Sequence, residues 1–199
     1  MGIARWRYVL KYSLNNPKYL KGNRFVLSNG HTCQFKDTFL AVYKDMTLSR
    51  SSRTTPHAPL AGPPETEIEG IKVTTDPFGQ GVAKAVGLAI AMKKLAATYN
   101  RPGYNLVNNV TCCITRDICL QVGVCSRGGP LTGYWKLNNL AVPYANHQMT
   151  CDVSIDLLRA YGWDVLEAAD CCFDVEELVK ALLQAEESQE SQDKPSVVC

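Results

Sequence analysis

Apolar residues along the chain fall either into short continuous runs or into longer stretches at helical spacing. The short runs predict strands, and intervals of three and four residues predict helices, because these patterns place apolar side chains on one face of each element. We expect strands at 24–27, 110–114, 140–144 and 163–166, and a last strand beginning at Ser196. Helices are predicted over 3–14, 82–99, 153–161 and from about 175 to 183. Strands that alternate with helices indicate an α/β fold with a parallel sheet.

Turn and cap residues mark where several of these elements begin and end. Asp76–Gly81 is a turn that leads into the long helix, and Gly162 is expected to close the helix that precedes it. Asp174, with Glu177 three residues later, is a capping pair at the start of the last helix. Residues 50–70, rich in Pro, Thr and Ser, predict a loop. Small residues recur every four positions in the long helix, which is typical of a packing surface: Ala83, Gly87 and Ala91.

Composition limits the class of protein. The chain has 199 residues, 46% hydrophobic and 20% charged, with a formal net charge of +2, which fits a globular protein of about one domain. Near-neutral charge gives no general reason to expect nucleic-acid binding, and no apolar run approaches the length of a membrane span. The first 36 residues nevertheless carry seven Lys or Arg and no acid, whereas 164–199 carry ten acids and two lysines. The basic start is either a mitochondrial leader or a solvated helix face, and we favour the latter and a cytoplasmic protein.

Cysteine usage points to a reducing compartment. The nine cysteines are odd in number and include two vicinal pairs, Cys112-Cys113 and Cys171-Cys172. None of the spacings is the CxxC of a zinc knuckle. We therefore interpret the cysteines as reduced cytosolic thiols.

Three features could cooperate in one site. The Gly79-Gln80-Gly81 turn opens a helix, whose amino end attracts anions through its backbone N–H groups. Asp117 follows one predicted strand and Asn146 follows the next, so both are expected at the carboxyl edge of the sheet. A carboxylate and an amide oxygen suit a hard divalent cation. The alternative for Asp117 is a helix cap.

At these residues the sequence resembles the N-terminal, thiamine diphosphate-binding domain of transketolase, of a fungal or yeast-like type. The similarity is carried by stretches spread over nearly the whole chain: Asn23–His31, Val73–Gly81, Ala85–Ala91, Cys119–Gln121 and Ala160–Trp163. The resemblance implies a Rossmann-like parallel sheet that binds thiamine diphosphate and a divalent metal, Mg²⁺ or Ca²⁺. It also implies a transferase of the pentose phosphate pathway, which moves a two-carbon ketol unit from a ketose phosphate to an aldose phosphate.

The resemblance assigns roles to individual residues. The catalytic residues it implies are His31, beside the cofactor, and His57, facing substrate, although His57 could equally be an ordinary loop histidine. The residues it implies for cofactor binding are His31, Asp76, Pro77, Phe78, Ile118 and Asn146. The metal ligands it implies are Asp117, Asn146 and Gln148.

The chain departs from the family pattern at the cofactor motif. Arg116 and Ile118 stand where the family has glycines on either side of the metal-binding aspartate, and we expect Ile118 to resist any positive φ. Asp76 replaces a glycine of the turn that contacts the pyrimidine. Pro143 lies inside a predicted strand, where it removes a ladder donor. These changes predict that cofactor and metal binding are weakened.

The resemblance further implies that the domain is incomplete at both ends and that the pyrimidine-binding and C-terminal domains are absent. A chain without the glutamate that activates the cofactor is expected to be inactive alone. Three functions stay open. The chain could be a transketolase-like enzyme completed by another polypeptide. It could be a non-catalytic partner, as a homodimer or in a heterodimer with full-length transketolase. It could also be a vestigial product with no selected function, a pseudoenzyme by descent.

Overall fold

The computed structural model describes residues 2, 4–13, 16, 18–28, 72–73, 77–145, 155–168 and 174–199, except the side chains of 189 and 190. Its five strands are β1 Arg24–Leu27, β2 Thr111–Arg116, β3 Leu140–Ala145, β4 Asp164–Leu166 and β5 Ser196–Val198. A short π-helix, Ala4–Val9, precedes β1. The α-helices are α1 Gln80–Tyr99, α2 Asp117–Gln121, α3 Gly123–Tyr134, α4 Ile155–Ala160 and α5 Val175–Gln192. None of the described helices is long and apolar enough to cross a membrane.

All described strand pairs are parallel, and the strand order is β1-β2-β3-β5-β4. This confirms the predicted parallel α/β fold. The strand predicted at Ser196 lies in the interior of the sheet, between β3 and β4. All five predicted strands are present. The bounds of β1 are as predicted, and no end of the others differs by more than two residues.

Alternate strand residues fill two cores, one on each face of the sheet. On one face, Val26 and Cys113 belong to a cluster that also takes in residues of α1, α3 and α4. On the other face, Phe25 and Cys112 pack with Trp6 of the π-helix, and α5 packs beside them on Val198. The sheet is therefore the middle layer of three, and both of its faces are covered.

Helices α2 and α3 are absent from the sequence prediction, because four glycines and Pro130 interrupt the apolar spacing across 123–134. Helix α5 continues to Gln192, beyond the apolar positions that predicted it. Its capping was predicted: Asp174 Oδ1 accepts hydrogen bonds from the backbone N–H groups of Glu176 and Glu177, over 2.8 and 3.0 Å. Gly162 has the positive φ, 85°, expected after a helix.

Pro143 lies in β3, which is flanked on both sides by other strands. Its pairing with β5 is retained opposite Val198. The pairing with β2, however, is recorded at Cys112↔Ala141 and resumes only at Thr115↔Tyr144. The proline therefore stands in a central strand where the ladder is interrupted, because proline has no N–H to donate.

Candidate active site

The described polar groups of the predicted site lie at the carboxyl edge of β1 and β2. Ser28 follows β1, and its backbone N–H donates to the Ile114 carbonyl of β2 over 2.9 Å. Asp117 follows β2 directly as the first residue of α2, and it is only 3% exposed. Arg116, not Asp117, occupies the N-cap position of α2. The alternative interpretation of Asp117 as a helix cap is therefore wrong.

Two glycines bring the amino end of α1 against this edge. Gly79 has φ 78°, and a Cβ added there would lie 2.8 Å from the carbonyl oxygen of Cys119. A Cβ added to Gly81 would lie 2.4 Å from the Cα of Ser28, which is closer than side chains approach backbone. The turn, β1 and α2 can meet only because these two positions lack side chains.

Two thiols donate hydrogen bonds to backbone carbonyls at this edge, one in the turn and one at the end of β1. Cys125 Sγ donates to the Gly79 carbonyl over 2.9 Å, and Cys119 Sγ donates to the Ser28 carbonyl over 3.6 Å. Burial, with a smaller contribution from Cys119, raises the pKa of Cys125 to about 12. The Cys125 thiol is consequently protonated at neutral pH and can act as a donor. The sequence does not predict this role, because the spacing of six residues between Cys119 and Cys125 matches no motif.

Two hydroxyl groups at the same edge have unmet hydrogen-bonding capacity. Ser28 Oγ and Thr115 Oγ1 are fully buried and have no hydrogen-bond partner in the described structure. They belong to adjacent, paired strands, one residue past the Leu27↔Ile114 pair. Buried hydroxyl groups normally have hydrogen-bond partners. These two could therefore each form a hydrogen bond with a polar group of a ligand or with a water.

The structure places some of the residues predicted for the site and leaves others undescribed. Pro77 and Phe78 form an exposed turn directly before Gly79, and the Phe78 side chain is 37% exposed. Ile118 lies one residue after Asp117 and is 38% exposed. The remaining predicted site residues lie outside the described residues: His31, His57, Asp76, Asn146 and Gln148.

The position of Ile118 requires no positive φ. Ile118 lies inside α2, and Arg116 before the helix is extended, with φ −133° and ψ 167°. Among the described residues other than glycine, only Lys136 and Asp193 have positive φ. Neither replacement of glycine therefore strains the backbone, and its effect on the site is limited to the bulk and charge of the side chain.

The described residues are chemically suited to a metal-bound diphosphate. Asp117 supplies a buried carboxylate at the edge where two hydroxyls lack partners, and the amino ends of α1 and α2 open toward the same edge. No group of three His, Cys, Asp or Glu side chains among the described residues could hold a metal ion. A metal at Asp117 would therefore need ligands from outside the described part of the chain or from the diphosphate itself.

The sheet is parallel, a glycine turn opens the helix beside it, and a buried carboxylate lies at the carboxyl edge of the sheet. This combination is typical of one class of protein, the α/β domains that bind phosphorylated ligands. The chain belongs to one family of this class: residues 1–199 match "Transketolase, thiamine diphosphate binding domain".

Relatives from yeasts share the sequence over nearly its full length. The chain is 45% identical to dihydroxyacetone synthase of Candida boidinii over 92% of this chain and 28% of the relative. It is 36% identical to transketolase of Kluyveromyces lactis over 100% of this chain and 31% of the relative. Transketolase from Leishmania mexicana has a similar structure, with a TM-score of 0.90 and 35% identity over 98% of this chain and 30% of that one. The chain thus spans about three-tenths of the length of these relatives.

Proposed function

We propose that this chain is the diphosphate- and metal-binding part of a transketolase-type transferase, acting in the transfer of a two-carbon ketol unit from a ketose phosphate to an aldose phosphate. The observation that carries the proposal is the buried Asp117 carboxylate at the end of β2, beside the tight turn at Gly79 and Gly81. Family membership over residues 1–199 supports thiamine diphosphate as the ligand.

In this proposal Asp117, Asn146 and Gln148 would hold a Mg²⁺ or Ca²⁺ ion. The positive amino ends of α1 and α2 would stabilise the negative charge of a diphosphate. Thiamine diphosphate, when bound, would supply the stabilisation of a carbanion. His31 would serve the cofactor and His57 the substrate, and Pro77 and Phe78 would serve the aminopyrimidine.

The proposed reaction also depends on parts of the family that these residues do not match. The chain spans about three-tenths of the length of its relatives. We expect these 199 residues by themselves to bind the cofactor without turning over ketoses, because the resemblance places the group that activates the aminopyrimidine in the family's pyrimidine-binding domain.

A second candidate function is that of a non-catalytic partner of a full-length transketolase. The small-residue stripe of α1 faces away from the core: Gly87 is exposed, and a Cβ added there would meet no described atom within 4 Å. Ile90 on the same helix is 37% exposed. Gly87 and Ile90 are thus exposed within the described part of the chain, and this exposure supports a second subunit as their partner.

The first experiment is calorimetric titration of thiamine diphosphate into the purified chain with Mg²⁺. We expect binding that Asp117→Ala abolishes and that the control Asp156→Ala, at a highly exposed carboxylate on α4, leaves unchanged. Absence of heat in a cooperatively folded protein would contradict the proposal and leave the partner or vestigial function.

A coupled ketol-transfer assay separates the two candidates. The chain is added to a limiting amount of full-length transketolase, and turnover is followed with and without it. A gain in turnover supports the completed enzyme, and a loss supports the non-catalytic partner. No change, together with no association in a pull-down at micromolar concentrations, would contradict both.

A further inference from the structure

Basic and acidic residues are unevenly distributed along the chain, although its net charge is close to zero. The described segments 4–28 and 77–116 carry eleven Lys or Arg and no Asp or Glu. These segments form the π-helix, β1, α1 and β2, at one end of the strand order. The acids are concentrated in 164–199, on β4 and on α5, which packs against the π-helix. The described segments around β1 and α1 are therefore basic, and Glu186 and Asp193 are the acids of the other segment that lie beside their lysines Lys11 and Lys93.

Most of these cations gather at the amino edge of the sheet, opposite the candidate active site. Residues 18–23 lead into β1, and residues 100–110 connect the carboxyl end of α1 to β2. The two segments are joined because Asn109 Nδ2 donates to the carbonyls of Leu20 and Gly22, both over 2.7 Å. We call this surface the basic edge, and its cations are Lys11, Lys18, Lys21, Lys93, Lys94 and Arg101.

Exposed tyrosines are interspersed with these cations. Tyr104 is 62% exposed and Tyr99 56%, far above what a core role would allow. Tyr12 and Tyr19, on the segment that carries Lys11 and Lys18, are also exposed. Lys21 Nζ lies 5.9 Å from the centre of the Tyr104 ring, so cation and ring occupy one patch.

The basic edge is also concave. A cavity of about 250 Å³ lies between the amino-terminal segment, α1 and the strand starts. Two ammonium groups border it, those of Lys11 and Lys93, and Glu186 borders its far side. Lys93 is held in place by the Lys136 carbonyl at 2.6 Å and by Asp193 at 3.6 Å. Lys11 and Lys93 thus border a depression in the basic edge, and the other four cations lie outside its lining.

We propose that the basic edge binds single-stranded nucleic acid, with the lysines and Arg101 on phosphates and Tyr99 and Tyr104 stacking on bases. Positive charge that follows a groove, combined with exposed aromatic rings, is the combination that single strands require. A small anion would leave the exposed rings unused, whereas the bases of a single strand can stack on them. This site is independent of the cofactor site, because it lies at the opposite edge of the sheet.

The test is fluorescence anisotropy of a labelled 20-nucleotide oligouridylate with the full 199-residue chain. Because about four phosphates would be neutralised, affinity is expected to fall about 50-fold between 50 and 200 mM NaCl. A triple Lys18→Gln, Lys21→Gln, Arg101→Gln variant should lower the slope of log affinity against log salt by about 2. Tyr104→Leu should weaken binding about tenfold, through lost stacking.

A control replaces two cations outside the basic edge, Lys84→Gln with Arg127→Gln, and should bind within about twofold of the parent chain. Thermal melts of each variant establish that it is folded. The proposal is overturned if the chain does not bind at 50 mM NaCl. It is also overturned if the control weakens binding as much as the triple variant. Equal competition by heparin, with Tyr104→Leu unchanged, would show a general polyanion surface and reject nucleic acid as the ligand.

Discussion

The two edges of the sheet are built in opposite ways. At the carboxyl edge, backbone meets backbone: α1 approaches β1 so closely that Gly81 has no room for a Cβ, and the Asp117 side chain is almost fully buried. At the amino edge, side chains meet solvent, with exposed rings such as Tyr104 beside a lysine ammonium group, that of Lys21. The carboxyl edge is therefore fixed in geometry and sensitive to small changes. The amino edge is defined by charge and tolerates substitution.

The sharpest test of this contrast compares two glycines of the same helix. Gly81→Ala places a methyl group 2.4 Å from the Cα of Ser28, so β1 or α1 must move. We expect a loss of about 3 kcal/mol in the free energy of unfolding, at the upper end of overpacking costs. Urea denaturation followed by circular dichroism measures it.

Gly87→Ala is the matched control, because a Cβ there meets no described atom within 4 Å. It should stabilise the protein by about 0.5–1 kcal/mol, as alanine does for glycine in a helix interior. Equal effects of the two substitutions would show that the close approach at Gly81 is absent in solution.

The pH dependence of stability probes the buried thiols of the sheet and of α3. Burial is the largest cause that raises the pKa of Cys112, Cys113 and Cys125, the last to about 12 from a reference value of 9.0. In the unfolded chain these thiols ionise near pH 9, while in the folded chain they stay protonated. The stabilisation is therefore complete below pH 9 and is lost as pH rises toward 12, by at most about 1.4 kcal/mol per pH unit for each thiol.

Urea midpoints measured at pH 7.5, 9.0 and 10.0 should accordingly fall on the alkaline side. A Cys125→Ser variant, whose hydroxyl does not titrate in this range, should show a shallower fall than the parent chain. An identical slope in the variant would mean that Cys125 is not buried as a thiol.

Most of the fold could be predicted from the sequence, because local patterns determine its strands and one of its helix caps. Runs such as Arg24–Leu27 lie in strands buried on both faces, and the Asp174 cap forms as the local pattern requires. Helix α3 could not be predicted, because its glycines and Pro130 contradict helix propensity and tertiary contacts decide the outcome. At the site, the position of Asp117 after β2 was predictable, since strand ends set it. The thiol contacts of Cys119 and Cys125 were not, since they join residues distant along the chain.

A smaller effect is expected when one thiol contact is removed. Cys125→Ala deletes the donor to the Gly79 carbonyl and leaves a small void beneath the turn. We expect a loss of about 1–2 kcal/mol in the free energy of unfolding, together with weaker thiamine diphosphate binding. Calorimetry on the folded variant checks the second part. Cys125→Ser keeps a hydrogen-bond donor and should recover part of the affinity for thiamine diphosphate. If the thiol served only packing, the alanine variant would bind the cofactor better than the serine variant.

The smallest effect on stability is expected at the basic edge. Lys18 is exposed and Lys21 partly so, and the contact of Lys21 with Tyr104 is a surface cation–π pair. Replacing both lysines by Gln should change the free energy of unfolding by less than about 0.5 kcal/mol in either direction. The same substitutions should measurably weaken oligouridylate binding, so that stability and binding separate at this edge while they change together at Cys125. A large loss of stability in this variant would mean that the lysines are structural, and the contrast between a rigid carboxyl edge and a tolerant amino edge would not hold.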